Sequence, residues 1–180
     1  LDASLDTHNV FVTTFLGYGT NAARTRYLYA LSERLGAPRT LPDPCLPRGL
    51  RIPMENGAST VHGTGSYAEC LAEQQVLLDR QAACAQLPCP FHGVHVPPID
   101  FRDKQFVGVS EYWYSTDDVF RMGGVYDHDQ FHRTASDFCA SDWTQLESKW
   151  HAHEYPEQVT NSRLQMQCFK SAWMSTILHE

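Results

Sequence analysis

The stretch NVFVTTFLGYGTNAARTRYLYAL, residues 9–31, joins a short apolar run to a glycine turn and the start of a helix. Residues 10–15 are rich in β-branched and aromatic side chains, and such a run predicts a buried strand. From Thr20 onward the apolar residues recur at helical spacing. The stretch therefore predicts a strand, a tight turn and a helix, which is an α/β arrangement.

The turn between the predicted strand and helix contains Gly17 and Gly19. Glycine tolerates positive φ and lets the backbone approach a ligand closely. Thr20 or Asn21 is the expected N-cap of the helix, whose first N–H groups suit polar or anionic ligands. We interpret the turn as a candidate ligand site. A turn without a ligand is the alternative, because two glycines alone are a weak motif.

The composition of the 180 residues indicates a packed globular domain, with 42% hydrophobic and 12% aromatic residues. The net charge of −7 argues against a nucleic-acid surface, and no basic run offsets it. No apolar stretch approaches the length of a transmembrane helix. We expect one domain over 1–180 that is a segment of a longer protein, because both ends look cut.

The redox state of the cysteines indicates the cellular compartment of the protein. The chain has six of them: Cys45, Cys70, Cys84, Cys89, Cys139 and Cys168. No C-x-x-C pair occurs, which disfavours a zinc site. An oxidised set indicates a secretory lumen or the cell exterior, with reduced, buried thiols as the alternative. A local bridge within ACAQLPC is sterically plausible, but the residues alone leave fifteen pairings open.

The middle of the chain predicts a proline-rich loop, a short strand and a capped helix. Prolines exclude a helix or a central strand over 36–53, so we expect an ordered loop tethered by its cysteine. Residues 59–62 predict the strand. The helix is predicted over 66–80, with Ser66 as N-cap and Glu69 completing a capping box.

A second corner between a strand and a helix is predicted further along, with the strand over 105–109 and the helix over 110–120. The first serine of that helix is its expected N-cap. Glu111, Tyr114 and Asp118 share one helix face by their spacing. The corner thus presents polar and aromatic groups at its mouth, although packing of its aromatic residues is the simpler alternative.

The remainder predicts helices over 127–139, 142–151 and 160–178, and Arg163 and Gln167 share one face of the last helix. His128 and His132 stand four residues apart, which is a metal-ligand spacing on a helix. Since no acidic residue accompanies them as in H-E-x-x-H, we interpret them as a solvated face and predict no metal site in this chain.

Seven stretches, in chain order, resemble the C-terminal lobe of the ecto-nucleoside triphosphate diphosphohydrolases, the apyrase family: FVTTFLGYGTNAARTRY, DPCLPRGL, GTGSYAEC, FHGVHVPPI, FVGVSEYWYSTDDVF, FCASDW and MQCFKSAWM. The first and last are most similar to intracellular members of the Golgi and of lysosomal or autophagic vesicles. The resemblance covers nearly the whole chain, and its collinearity makes it specific.

The resemblance implies a partial RNase H-like lobe of the actin-like ATPase superfamily, with helical and disulfide-stapled loop insertions. It also implies hydrolysis of nucleoside di- and triphosphates by an activated water with Ca²⁺ or Mg²⁺. The phosphate loops and the general base of the family would lie before Leu1, and its last conserved region would follow Glu180. We therefore expect the chain by itself to be catalytically inactive and to work with the N-terminal lobe of the same protein.

The nucleoside side of the cleft is what the resemblance assigns to this chain. The glycine turn with Thr20 and Asn21 falls near the ribose and base. Glu111 and Tyr114 fall on a base-pocket helix, where Tyr114 matches a residue that stacks on the base. The last two residues assigned to this nucleoside site, Arg163 and Gln167, fall on the final helix.

The chain departs from the cell-surface members at three positions. Gln167 stands where they carry a second stacking tyrosine, although its amide can hydrogen-bond a base edge. Thr20 stands where they often have arginine. Gly17 matches the first cysteine of a bridge that is absent here. For the other bridges the resemblance implies the pairs Cys45–Cys70, Cys84–Cys89 and Cys139–Cys168.

The sequence thus favours a segment of a lumenal nucleoside diphosphatase or triphosphatase. We expect the protein to reside in the Golgi, in a lysosomal or vesicular membrane, or at the cell exterior, and to be held to a membrane only by parts outside this chain. The alternative is a non-catalytic, disulfide-stapled binding module of the lumen or cell exterior.

Disulfide mapping tests the compartment. Each bridge is worth about 2–4 kcal/mol of folding free energy because it restricts the unfolded chain. Peptide mapping without reduction, on protein isolated from its native compartment, should recover the three pairs named above. Recovery of six free thiols would exclude the lumenal assignment.

Overall fold

The computed structural model describes residues 10–54, 57, 59–100, 102 and 105–179. It is a mixed α/β chain of helices and one small sheet. In chain order its elements are α1 (Thr20–Arg34), β1 (Thr40–Asp43), β2 (Arg51–Pro53), β3 (Thr60–Gly63), α2 (Tyr67–Gln74), a 3₁₀ turn (Gln75–Leu78), α3 (Glu111–Trp113), a π-helical turn (Tyr114–Asp118), α4 (His128–Cys139), α5 (Trp143–His151) and α6 (Asn161–His179).

The sheet has three strands in the order β1-β3-β2. β3 pairs in parallel with β1, where Leu41 faces Val61, and antiparallel with β2. Both edge strands contain proline, which is tolerated there because an edge strand has N–H groups that need no ladder partner. The expectation of no central strand over 36–53 is confirmed, but this region forms two edge strands as well as loop. The strand predicted over 59–62 is confirmed as β3.

Helix α1 forms where the sequence predicts it, but its N-terminus is built differently. Gly19 is the N-cap residue, and no side chain caps the helix, so the expectation that Thr20 or Asn21 caps it is wrong. Ala23, Tyr27 and Leu31 recur on one face and are buried in the core. No capping side chain therefore accepts a hydrogen bond from the first backbone N–H groups of α1.

Asp43, the last residue of β1, is completely buried and accepts three hydrogen bonds. Its Oδ2 lies 2.5 Å from Nη2 of Arg24. Its Oδ1 accepts from the hydroxyl of Tyr27 and from the backbone N–H of Cys45, both at 2.8 Å. The carboxylate thus joins α1 to the sheet and to the disulfide-bonded loop that follows β1.

Helix α2 is capped as predicted, since the Ser66 hydroxyl accepts a hydrogen bond from the backbone N–H of Glu69. It is shorter than the predicted 66–80, because the last regular α-helical residue is Gln74 and a 3₁₀ turn follows. Asp79 then adopts φ = 48°, a left-handed conformation that ends the helical run.

Helix α6 is the central element, packed against α1, α2, α4, α5 and the π-helical turn. Ten of its 19 residues are buried. Cys168 on α6 bonds to Cys139 at the end of α4, and the other bridges join Cys45 to Cys70 and Cys84 to Cys89. These are the three pairs implied by the resemblance. The helices expected over 127–139, 142–151 and 160–178 are confirmed as α4, α5 and α6.

Two predicted strands do not form. The run over 10–15 has no regular structure, and Val10 and Val12 are 76% and 80% exposed, so the prediction of a buried strand is wrong. The run over 105–109 is likewise irregular, with Val107 84% exposed. A strand needs a neighbouring strand for its N–H and C=O groups, and no described residue supplies one to either run. Residue 9, which opens the first stretch, lies outside the described residues.

The histidine pair is partly solvated, as predicted. His128 is exposed, whereas His132 is half-buried with its ring edge-on to Tyr67 at 5.0 Å between centroids. Among the residues with described positions, no group of three or more histidine, cysteine or carboxylate side chains could hold a metal ion. Within those same residues, every helix is too short or too polar to cross a bilayer.

The Tyr27–Asp43 hydrogen bond predicts an alkaline stability effect. Burial raises the pKa of Tyr27, and the Asp43 carboxylate raises it further. The folded state keeps this phenol protonated above pH about 10, where the unfolded chain loses the proton. This contribution to stability is therefore present below that pH and lost as the pH rises. Tyr27→Phe should lower the free energy of unfolding by about 1–3 kcal/mol at pH 7. The difference between wild type and variant should become smaller by about 1.4 kcal/mol per pH unit above pH about 10.

Denaturant unfolding of the intact protein between pH 7 and 11 measures this difference. Tyr29→Phe is the matched control, because Tyr29 lies on the same helix and is 56% exposed. A deficit that stays constant over the whole range would contradict the assignment.

Candidate functional site

A cleft of about 280 Å³ opens between the N-terminus of α1, the α3 turn and the middle of α6. Its walls are mostly aromatic: Phe15, Tyr18, Phe91, Tyr112 and Trp173. Burial raises the pKa of Tyr112, so that phenol is neutral and able to donate a hydrogen bond. An apolar cleft with a few polar groups is the usual form of a small-molecule site.

The glycine turn forms one rim of the cleft. Gly17 has φ = 84°, a conformation that favours glycine, and Gly19 lines the cleft as the N-cap of α1. The Trp173 indole N–H donates to the Tyr18 carbonyl at 3.1 Å and so ties the turn to α6. The turn is thus held against the central helix beside the open N-terminus of α1.

The polar floor of the cleft consists of three side chains on facing elements. Lys170 Nζ on α6 lies 2.5 Å from Glu111 Oε1 on α3, and the Lys170 side chain is only 12% exposed. The pair is ionic by distance, but its geometry is not that of a directed hydrogen bond, so Glu111 Oε1 accepts none. Ser115 is 1% exposed, and its hydroxyl has no hydrogen-bond partner.

The backbone next to this floor is not the regular helix predicted over 110–120. One turn of α-helix, α3, passes into a π-helical turn. Ser110 has φ = 56°, and its side chain caps nothing, so the predicted cap is wrong. The Gln167 amide N–H donates to the Ser115 carbonyl at 2.8 Å and to the Ser171 hydroxyl at 3.2 Å. Gln167, 2% exposed, thus fastens the π-helical turn to α6.

Tyr114 lies on the outer side of the same turn and is 37% exposed. The guanidinium carbon of Arg163 lies 4.8 Å from the centre of the Tyr114 ring, within range of a cation–π contact. Arg163 Nη1 also donates to Oδ2 of the buried Asp118 at 2.6 Å. The cation is therefore fixed against one face of the ring by a carboxylate from the same π-helical turn.

The eight residues predicted for the nucleoside site separate into three groups. At the cleft the structure brings together Gly19, Thr20 and Glu111. At the contact between the π-helical turn and α6 lie Tyr114, Arg163 and Gln167. The remaining two, Gly17 and Asn21, do not line the cleft, and Asn21 is exposed on the first turn of α1.

Lys170 and Ser115 were missed by the sequence analysis. The helical spacing contains a signal for Lys170, because it follows Arg163 by seven residues and Gln167 by three, and so shares their face of α6. Ser115 carries no comparable signal, since the inward direction of its side chain depends on the π-helical turn.

The cleft does not fit a divalent cation. Ca²⁺ and Mg²⁺ require several oxygen ligands, most of them carboxylates or carbonyls. The one carboxylate lining this cleft is that of Glu111, which is already paired with the Lys170 ammonium.

Comparison with known proteins identifies the family. The model of the GDA1/CD39 (nucleoside phosphatase) family matches residues 1–180. The chain therefore belongs to the GDA1/CD39 family, as the resemblance in the sequence indicated.

Individual relatives agree with this result. A Golgi apyrase of Saccharomyces cerevisiae is 38% identical over the whole chain, and a Golgi apyrase of Schizosaccharomyces pombe is 39% identical over 95% of it. Ectonucleoside triphosphate diphosphohydrolase 4 of Homo sapiens is 35% identical over 96% of it. In each case the chain spans about 30% of the length of the relative.

The buried Gln167 amide predicts a stability effect. Gln167→Leu retains most of the side-chain volume but removes the donor to the Ser115 carbonyl. We expect a loss of about 1–3 kcal/mol, because a buried carbonyl loses its side-chain partner. Gln165→Leu is the matched control, since the half-buried Gln165 side chain bonds only locally, to Asn161. Chemical denaturation of the intact protein compares the two, and equal losses would contradict the assigned role.

Proposed function

We propose that the intact protein is a nucleoside di- and triphosphate diphosphohydrolase. In this proposal it releases phosphate by metal-assisted attack of water, and this chain supplies the nucleoside side of the cleft. Family membership and the names of the relatives support the activity. The observation that carries the role of this chain is the cleft itself, which is lined by aromatic rings and has a charge-neutral polar floor.

The lining of the cleft suits a nucleoside better than a phosphate chain. A planar heterocycle gains from contact with aromatic rings and needs a small number of hydrogen-bonding groups at its edge. A phosphate chain needs free cations or metal ions, but the Lys170 ammonium is already neutralised by Glu111. The phosphate-binding loops and the divalent cation, Ca²⁺ or Mg²⁺, are therefore proposed to belong to the rest of the protein.

Tyr114 is proposed to stack on the nucleobase. Arg163 covers one face of its ring and the side chain is 37% exposed, so we propose that the base lies against the other face. Stacking of a base on an aromatic side chain is worth about 1–3 kcal/mol and accepts any base. Fixing Arg163 by Asp118 also holds the Tyr114 ring in place before a ligand arrives.

The other predicted residues take supporting positions in this proposal. Gly19 and Thr20 lie at the rim beside the open N-terminus of α1, where a ribose hydroxyl can accept a hydrogen bond from the backbone. Gly17 shapes the turn, and Asn21 is available from the outer side of α1. Because the Gln167 amide N–H already bonds within the protein, we propose that Gln167 supports Tyr114 from behind, and that a base edge would have to compete with these bonds.

The wider setting follows from the same family membership. We propose that 1–180 is a segment of the C-terminal lobe in an RNase H-like, actin-like fold, completed by an N-terminal lobe of the same protein. Three disulfides and no free cysteine among the described residues favour an oxidising lumen, in the Golgi or a vesicle, or the cell exterior. Attachment to a membrane is proposed to rest on parts outside this chain.

The hydrolase proposal is tested with Tyr114→Ala in the intact protein. Wild-type protein should release phosphate from nucleoside di- or triphosphates when Ca²⁺ or Mg²⁺ is added. The variant should raise KM about tenfold or more, with a smaller effect on kcat, because stacking acts on binding rather than on the phosphate chemistry.

Two controls accompany this measurement. Tyr29→Ala removes an exposed tyrosine from α1 away from the cleft and should leave KM unchanged. The 180-residue chain alone should release no phosphate. An unchanged KM for several nucleotides in folded Tyr114→Ala would reject the stacking role, and an intact protein without hydrolysis would favour the non-catalytic binding module.

A further inference from the structure

The described residues contain three buried side-chain polar atoms that lack a hydrogen-bond partner, and two of them line one cleft. These two are Glu111 Oε1 and the Ser115 hydroxyl. Buried polar groups are paired in the great majority of cases, because an unpaired one costs about 1–3 kcal/mol. Glu111 Oε1 has the Lys170 ammonium 2.5 Å away, so the Ser115 hydroxyl is the group in this cleft for which the described residues supply no partner.

Lys170 lines the same cleft as these two groups and the aromatic walls. Its side chain is only 12% exposed, and its charge is balanced by Glu111. A buried ammonium of this kind still has donors to spare, because it carries three N–H groups and one carboxylate oxygen lies close to it. The floor of the cleft thus offers donors from Lys170 and Ser115 and an acceptor from Glu111.

The net charge and shape of the cleft restrict what can satisfy these groups. Because the ammonium and the carboxylate neutralise each other, a charged ligand gains little, whereas an uncharged ring with a donor next to an acceptor matches the floor. Aromatic walls favour a flat ring. The edge of a nucleobase has this chemistry, since each base presents donors or acceptors in the plane of its ring.

The position of Tyr114 agrees with this match. It follows Glu111 by three residues, so the two side chains begin about 5–6 Å apart on neighbouring positions of the helical turn. A base stacked on Tyr114 would therefore lie beside the helical turn that carries Glu111.

We propose that Lys170 and Ser115 contact the edge of the nucleobase and that Lys170 is a specificity-determining residue of the site. This inference rests on the proposed nucleotide hydrolysis. A salt bridge that only ties α3 to α6 is the structural alternative. The two differ in a measurable way, because contact with a base edge affects different bases unequally, whereas a purely structural pair affects all nucleotides alike.

The first test is Lys170→Met in the intact protein, which keeps the apolar stem and removes the ammonium. We expect KM to rise about tenfold for the best substrate, which is the size of one hydrogen bond from a charged donor. We also expect the ratio of kcat/KM between a uracil and an adenine nucleotide to change threefold or more. Lys149→Met on α5 is the matched control, because Lys149 is exposed and lies outside the cleft.

The second test, Ser115→Ala, remains informative if Lys170→Met fails to fold. Removing an unpaired buried hydroxyl should leave the unfolding midpoint unchanged or raise it, because the folded state loses an unsatisfied group. The same variant should raise KM about threefold or more if the hydroxyl contacts the base. If Ser115 had only a structural role, the variant would not combine an unchanged or raised unfolding midpoint with a raised KM.

The outcomes separate the two proposals. If wild-type protein hydrolyses nucleotides, but folded variants at both positions leave KM unchanged or shift all bases equally, the role of Lys170 and Ser115 is rejected while the hydrolase proposal stands. If wild-type protein hydrolyses no nucleotide, the hydrolase proposal fails and this inference fails with it.

Discussion

The buried carboxylate of Asp43 is the constraint on which the rest of the structure depends. It receives hydrogen bonds from Arg24 and Tyr27 on α1 and from the backbone N–H of Cys45. The Arg24 guanidinium in turn lies 5.1 Å from the ring centre of Phe169 on α6. One anion thus positions the first helix, the sheet and the central helix relative to one another.

Forming a buried ion pair and removing one of its partners change the folding free energy by unequal amounts. Burying an ion pair gains little over burying apolar groups, but losing one partner costs about 3–5 kcal/mol, because the other charge stays buried and uncompensated. Nη1 of Arg24 has no hydrogen-bond partner, so one buried donor stays unpaired even when the ion pair is intact. Its benefit is orientation, because it holds α1 against the sheet, while the Trp173–Tyr18 hydrogen bond holds the glycine turn against α6.

Helix α6 connects the buried Asp43 centre to the candidate site. It carries Cys168, which is bonded to α4, and on a neighbouring face Arg163, Gln167 and Lys170, of which Gln167 is fully buried. Because a disulfide fixes the helix immediately next to Gln167, the three polar side chains are presented from a rigid support. The aromatic cleft and the Tyr114 contact are therefore both built on residues of α6.

The sequence predicted α1, α4, α5 and α6 well, because helical periodicity is local, but of its three expected N-caps only Ser66 forms. Ser66 caps α2, Asp127 caps α4, and Thr160 accepts a hydrogen bond at the start of α6. The strands over 10–15 and 105–109 could not be predicted reliably, because a strand depends on a distant partner as well as on its own residues.

At the candidate site, too, local patterns could be predicted from the sequence, whereas contacts between distant residues could not. The glycine turn and the shared face of Arg163 and Gln167 are local patterns, and the structure contains both. The inward direction of Ser115 and the pairing of Glu111 with Lys170 depend on a π-helical turn packing against α6, and single-residue patterns do not encode that packing.

That π-helical turn makes the function of residues 114–118 depend on the length of the chain as well as on the side chains themselves. Successive residues of an α-helix are rotated by about 100°, so removing one residue here would turn every later side chain of the segment to a new direction. Asp118 would no longer face Arg163, and a different side chain would occupy the position of Ser115. Among related proteins we therefore expect the number of residues in this turn to stay constant even where its side chains differ.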